Sequence, residues 1–249
     1  MATETTPSHD QTHPQEAPQV QRVAPLWRRA IAEAIGTGLL VAIVVGSGIA
    51  AQRFSPHDTG LMLLENSLAT ALGLAVLIAM FQRLSGAHFN PVVTLADRTL
   101  GSRLSATEVV VYIAAQITGG IGGAVLANAM FAVPTTIATT DRATPELFLA
   151  EVVATAGLIL VIFTLARGGR AAAVAPAIGA YIGAAYWFTS STSFSNPAVT
   201  IGRVFTDTFT GITPTSALPF LCAQLLGAAI GVVLTLLLFP ASRIEAQGR

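Results

Sequence analysis

Ser85-Gly86-Ala87-His88-Phe89-Asn90-Pro91-Val92-Val93-Thr94 decides the reading of this chain, because its last six residues return loosely as Ser195-Asn196-Pro197-Ala198-Val199-Thr200. Asn is a favoured helix N-cap and Pro is pre-set for the first helical position, so each Asn-Pro announces a helix start. The stretches that follow, 91–97 and 197–206, are too brief to cross a bilayer and too apolar to sit in water. They predict two re-entrant half-helices that dip in from opposite faces and meet near the midplane. Non-helical backbone at that depth is tolerated only where it is buried in protein or lines a water-filled cavity. The pair therefore predicts a pore.

The composition around these elements agrees with a lipid setting. Of 249 residues, 53% are hydrophobic and only 10% charged, with a mean hydropathy of +0.66, whereas about a quarter of an ordinary soluble domain is charged. Apolar segments at 27–50, 61–82, 106–131, 146–167, 171–192 and 216–239 are long enough to span. Residues 1–24 are rich in Thr, Gln, Pro and His and predict a disordered tail, and 241–249 a second short tail, which leaves 25–240 as one channel domain. No signal-peptide pattern opens the chain, so the first span is expected to be retained. The net charge is zero with no basic run, which gives nucleic acid no footing, and Cys222 is the only cysteine, so no intrachain disulfide or thiolate cluster forms.

Six spans put both termini on one side. Arginines 22, 28, 29, 83, 98, 103, 167, 170, 243 and 249 fall on that side and Arg53, Arg142 and Arg203 on the other, and the excess makes the termini cytoplasmic in a plasma (inner) membrane. Ala32-Glu33 with Thr37 returns as Ala150-Glu151 with Thr155; Gln116, Gly119 and Gly123 return as Gln224, Gly227 and Gly231. With the Asn-Pro pair, three signatures recur in one order, so a three-span unit is duplicated, about 27–131 and 146–239. Three is odd, so the second copy enters the membrane inverted. The fold class is an all-α membrane protein, six transmembrane helices plus two half-helices in an inverted three-span repeat.

Residues Ser85–Thr94, the second Asn196-Pro197-Ala198 and the paired Glu-x-x-x-Thr elements together resemble the aquaporin (major intrinsic protein) family over roughly 27–240. The resemblance implies a passive channel for small neutral solutes, a homotetramer with one pore per subunit, no cofactor and no catalysis. It makes Asn90, Pro91, Val92 and Asn196, Pro197, Ala198 the pore motifs. It also makes Glu33 and Glu151 acceptors for backbone amides of the re-entrant loops; His88, by its place before Phe89-Asn90, either fixes the loop or joins the cytoplasmic vestibule and responds to pH. Two half-helix N-termini place positive partial charge at the centre, which opposes cations, while the Asn amides can donate to a passing oxygen.

The chain departs from the family at its filter. Where most water and glycerol channels carry an arginine after the second Asn-Pro-Ala, this chain has Val199; counting without gaps places the other positions at Thr70, Ala184 and Ser193. None is aromatic or charged. A wide, weakly polar constriction suits bulky neutral hydroxylated solutes, and arsenite as arsenious acid, or a related metalloid hydroxide, is the favoured substrate. Asn196–Thr200 followed by Thr206-Asp207-Thr208-Phe209 and Gly211 resembles a bacterial subgroup associated with arsenic resistance. The alternative is general conductance of water, glycerol or hydrogen peroxide.

Remaining residues take plainer readings. The i, i+4 spacing pairs Arg203 with Asp207; a cation at the outer mouth is the other reading. The glycine pairs 119/123 and 227/231 are expected to pack the two halves together, a subunit interface being the other reading, Gln116 and Gln224 to bridge helices, and Cys222 to be a packed small residue. Tyr181, Tyr186 and Trp187 face either lipid or the outer vestibule. His9, His13 and His57 lack metal-ligand spacing, and no metal site is expected. An ion-coupled secondary transporter also fits inverted repeats with broken helices, but Glu33 and Glu151 lie near span starts and not beside the Asn-Pro elements. No nucleophile and base set or phosphate-binding loop supports an enzyme.

Overall fold

The structure, a computed structural model, describes residues 23–240. The readings placed on 1–22 and 241–249 lie outside the described residues. Six long helices, α1 (Leu26–Phe54), α2 (Thr59–Ser85), α4 (Ala106–Met130), α5 (Pro145–Arg167), α6 (Ala171–Phe188) and α8 (Pro214–Leu238), are each apolar enough to cross a membrane. Two short ones, α3 (Pro91–Thr99) and α7 (Pro197–Arg203), follow the second and fifth spans. No strand occurs among the described residues.

Local chemistry sets the ends. The Asp58 side chain caps α2, Thr144 precedes Pro145 of α5, Thr213 precedes Pro214 of α8, and Ser105 and Glu108 form a reciprocal capping box on α4. Helix α6 stops at Phe188, short of the 192 that hydropathy predicts. Beyond it Thr192, Ser193 and Ser195 all hold positive φ, a conformation that cannot continue a helix. Helix α7 likewise stops at Arg203, before 206.

Helices α1–α4 and α5–α8 form two equivalent units. Within each, the first helix packs on the last (α1 on α4, α5 on α8); across them α2 meets α6, and α4 meets α7 as α8 meets α3. Small residues make the close crossings. A Cβ at Gly119 or Gly123 would run into the carbonyls of Ala34 and Gly38 on α1, and one at Gly227 or Gly231 into those of Val152 and Ala156 on α5. These pairs therefore join helices inside each half, which corrects the expectation that they join the halves. The joint between halves uses Gly120 and Gly202 instead: a Cβ on either would lie 2.7 Å from the carbonyl of Ala198 or Gly120 respectively.

Large apolar side chains, among them Leu72, Val110, Leu149, Leu225 and Leu237, face outward, while Glu33, Gln116, Glu151 and Gln224 are fully buried. That inversion suits a molecule whose outer solvent is hydrocarbon. Cys222 lies on the exposed face of α8, not in the packed position expected for it.

Candidate functional site

The two buried glutamates hold the loops that precede the half-helices. Glu33 accepts from the Ser85 hydroxyl (2.6 Å), the amides of His88 (3.0 Å) and Phe89 (2.7 Å) and the Gln116 amide (2.8 Å). Glu151 accepts from Ser191 (2.7 Å), the amides of Phe194 (2.8 Å) and Ser195 (2.9 Å) and the Gln224 amide (2.7 Å). Four donors on each carboxylate supply what a buried charge requires. Each Gln also donates to a threonine of the half-helix, Thr94 at 2.9 Å and Thr200 at 2.8 Å. The sequence reading gives Ser85 and Ser191 no role of their own. Their signal was present: each stands five residues before its Asn.

Strained backbone aims these loops. Ala87 and Phe89 have φ of 51° and 49°, and Ser193 and Ser195 have 50° and 46°, the same two positions before each Asn. Non-glycine residues rarely hold the left-handed region, and they keep it only where surroundings over-determine it. Here the glutamate clamps do so. The Asn90 and Asn196 side-chain carbonyls then accept from the first-turn amides of Val92 and of Ala198 and Val199. This leaves the amide nitrogens to point across the joint, and each donates at 2.8 Å to the other loop: Asn90 Nδ2 to the Ser195 carbonyl, Asn196 Nδ2 to the Phe89 carbonyl. Among the described residues, one N–H on each nitrogen is left without a protein acceptor.

A cavity of about 270 Å³ passes both asparagines. Leu40, Val44, Leu74, Ile78, Val93 and Leu158 form its apolar wall. Gln82, His88 and Asp97 stand at one end, where the His88 ring contacts Thr94 (3.1 Å) and lies 3.8 Å from Asp97. Thr70, Tyr186, Ser193, Val199 and Arg203 stand at the other.

Two placements at that second end differ from the sequence reading, and Tyr186 takes the vestibule side of its open one. Ala184 does not line the cavity; it is exposed. Helix α6 presents Ile178, Ile182 and Tyr186 inward at intervals of four, and a residue two after Ile182 points nearly the opposite way. Tyr186 occupies the cavity instead, its hydroxyl 3.1 Å from that of Thr70, so this end carries an aromatic ring. Arg203 does not pair with Asp207. Asp207 accepts from the amide and hydroxyl of Thr139, while Arg203 donates to the Thr210 carbonyl and lies 3.3 Å over the Phe194 ring. Because α7 ends at Arg203, Asp207 is not one helical turn away from it.

The sequence profile of the family described as Major intrinsic protein matches residues 20–195. The aquaglyceroporin AqpS of Rhizobium meliloti (strain 1021) is 46% identical over 224 residues, 89% of this chain and 95% of that protein. This chain belongs to the major intrinsic protein family. It is a multi-pass membrane channel for small neutral solutes and not an enzyme. The lens fiber major intrinsic protein of Rattus norvegicus matches more locally, 39% identical over 41% of this chain and 37% of that protein. The X-ray structure of the aquaglyceroporin from Plasmodium falciparum superimposes with a TM-score of 0.64 at 20% identity, over 85% of this chain and 96% of that one. The likeness confirms the fold, six spanning helices with two short ones.

Proposed function

We propose that the channel conducts small uncharged hydroxylated solutes, with arsenious acid and related metalloid hydroxides as the favoured class. The observation that carries this is Val199: an aliphatic side chain lines the cavity three residues after Asn196, beside the hydroxyls of Thr70 and Ser193. A short apolar wall facing hydroxyl groups suits a compact solute with several O–H groups. The solute trades hydration for the Asn amides and these hydroxyls without meeting a bulky side chain at 199. The aquaglyceroporin name of a relative that matches most of the chain supports a path wider than water alone requires. Tyr186 narrows that path from the opposite wall, which favours compact solutes over long ones.

The reading extends to the assembly: a homotetramer in the bacterial inner membrane, one pore per subunit, both termini cytoplasmic and residues 25–240 acting as one channel unit. The outward apolar faces of the spans support burial in lipid or against further copies. The decisive measurement is stopped-flow swelling and arsenite uptake in vesicles that contain the purified protein, across water, glycerol, urea and arsenite. Arsenite uptake equal to that of empty vesicles, with high glycerol or water flux, overturns the metalloid assignment.

A further inference from the structure

Half-helix α7 runs from Asn196 toward the Tyr186 end, and at its C-terminus the carbonyls of Ile201, Gly202 and Arg203 accept from the amides of Val204, Phe205 and Ile212. The residue at that C-terminus is Arg203.

Arg203 is only 3% exposed yet borders the cavity. Among the described residues no carboxylate lies within ion-pair distance of it; the ion pairs are Arg29 with Glu108 and His88 with Asp97. Its Nε donates to the Thr210 carbonyl, and among the described residues its other guanidinium N–H groups have no acceptor. The Phe194 ring props the guanidinium from one side. Arg142 approaches the same ring at 5.5 Å but donates to the carbonyls of Gly211 and Phe209 and does not border the cavity. A buried, unpaired cation with free donors beside a solute path is costly to keep, and structural bracing alone needs only the Nε contact.

We propose that Arg203 is the specificity-determining guanidinium of this pore. From one helical turn beyond Val199 it sets a positive charge at the Tyr186 end, excludes cations and protons there, and offers donors to an uncharged solute oxygen. The inference rests on the channel reading but not on which solute passes. It explains how position 199 can be aliphatic without the pore leaking ions: the charge sits farther along the same face, leaving width at 199.

The test compares wild type with Arg203→Gln, Arg203→Lys and Arg203→His in proteoliposomes, with glycerol swelling and potassium and proton leak measured on the same preparations. Arg203→Gln is expected to raise cation leak about ten-fold or more while glycerol flux persists, and Arg203→Lys to stay tight. Arg203→His is the control for folding, because one preparation carries both states. Its leak should be low at acidic pH, where the imidazole is charged, and should rise as pH passes the imidazole pKa, a change that wild type does not show. Arg203→Gln combined with Val199→Arg should close the leak again. Leak that stays at the wild-type level in Arg203→Gln, or a pH-independent leak in Arg203→His, overturns the proposal and leaves Arg203 as a brace for residues 204–213. A wild type that passes no neutral solute fails the channel reading instead.

Discussion

Asn90 and Asn196 are tied into each other's loops: each side-chain amide donates at 2.8 Å to the carbonyl just before the other asparagine. Each residue thus caps its own half-helix with its oxygen and fastens the opposite repeat with its nitrogen. The joint is made beside the cavity, so the same four atoms cap the half-helices and tie the two repeats together.

Replacing either asparagine by aspartate separates those roles. Asp is as good a cap as Asn, so α3 or α7 should persist, but the donor is lost and a carboxylate is left facing a carbonyl. A charge at the centre of a membrane costs about 3 kcal/mol. Asn196→Asp is expected to fold with a lower thermal midpoint in detergent, to pass less glycerol and to admit potassium; unchanged glycerol flux would count against the solute contact.

The clamps should be equally sensitive in both halves. Glu33→Ala or Glu151→Ala strands two backbone amides, a serine hydroxyl and a glutamine amide. At about 1–3 kcal/mol for each unsatisfied buried group, either change exceeds what a small helical bundle tolerates. Both variants are expected to lose monodisperse protein on size exclusion, to a similar extent because the two networks match donor for donor.

The glycine contacts give a graded stability test. Gly123→Ala pushes a methyl into the Gly38 carbonyl, whereas Gly122 has nothing within 4 Å of the same added atom. Overpacking costs about 1–3 kcal/mol. Gly123→Ala should lower the thermal midpoint measurably and Gly122→Ala should leave it unchanged, although the two glycines are adjacent.

How far these features were legible from sequence varies with their physics. Hydropathy and Asn-Pro capping located all eight helices to within a few residues, because both act over the local chain. The repeat pointed to Glu33, Glu151, Gln116 and Gln224, whose partners are duplicated with them. Ala184 shows where counting stops working. The turn from Phe188 to Asn196 runs through three left-handed residues, none of them glycine, so no local signal sets the phase of α6 relative to Asn196. Of the two readings of Arg203, the pairing with Asp207 fails for a related reason, since i, i+4 pairing presumes a helix that here has already ended. The glycine pairs were visible, but a small-residue stripe does not name its partner helix.

That phase leads to a sharp comparison on α6. If Tyr186 narrows the path through its contact with Thr70, Tyr186→Ala should raise the permeability of glycerol and arsenite relative to water. Ala184→Leu, on the exposed face, should leave all three fluxes at the wild-type level. The reverse pattern would place the constriction where gap-free counting put it.

Val199→Arg tests width and charge together. Val199 and Arg203 lie one turn apart on α7 and both border the cavity, so the new guanidinium enters within about 6 Å of the existing one. Two like charges at that spacing repel, and among the described residues no carboxylate lies within ion-pair distance of Arg203, so the added side chain should extend into the cavity toward Thr70 and Tyr186. Solute size then decides the outcome. Arsenite and glycerol flux should fall several-fold before water flux changes, with potassium leak no higher than in wild type. Equal loss for every solute would indicate a damaged fold, which the thermal midpoint distinguishes. Undiminished arsenite flux would mean that residue 199 does not border the narrowest part of the path.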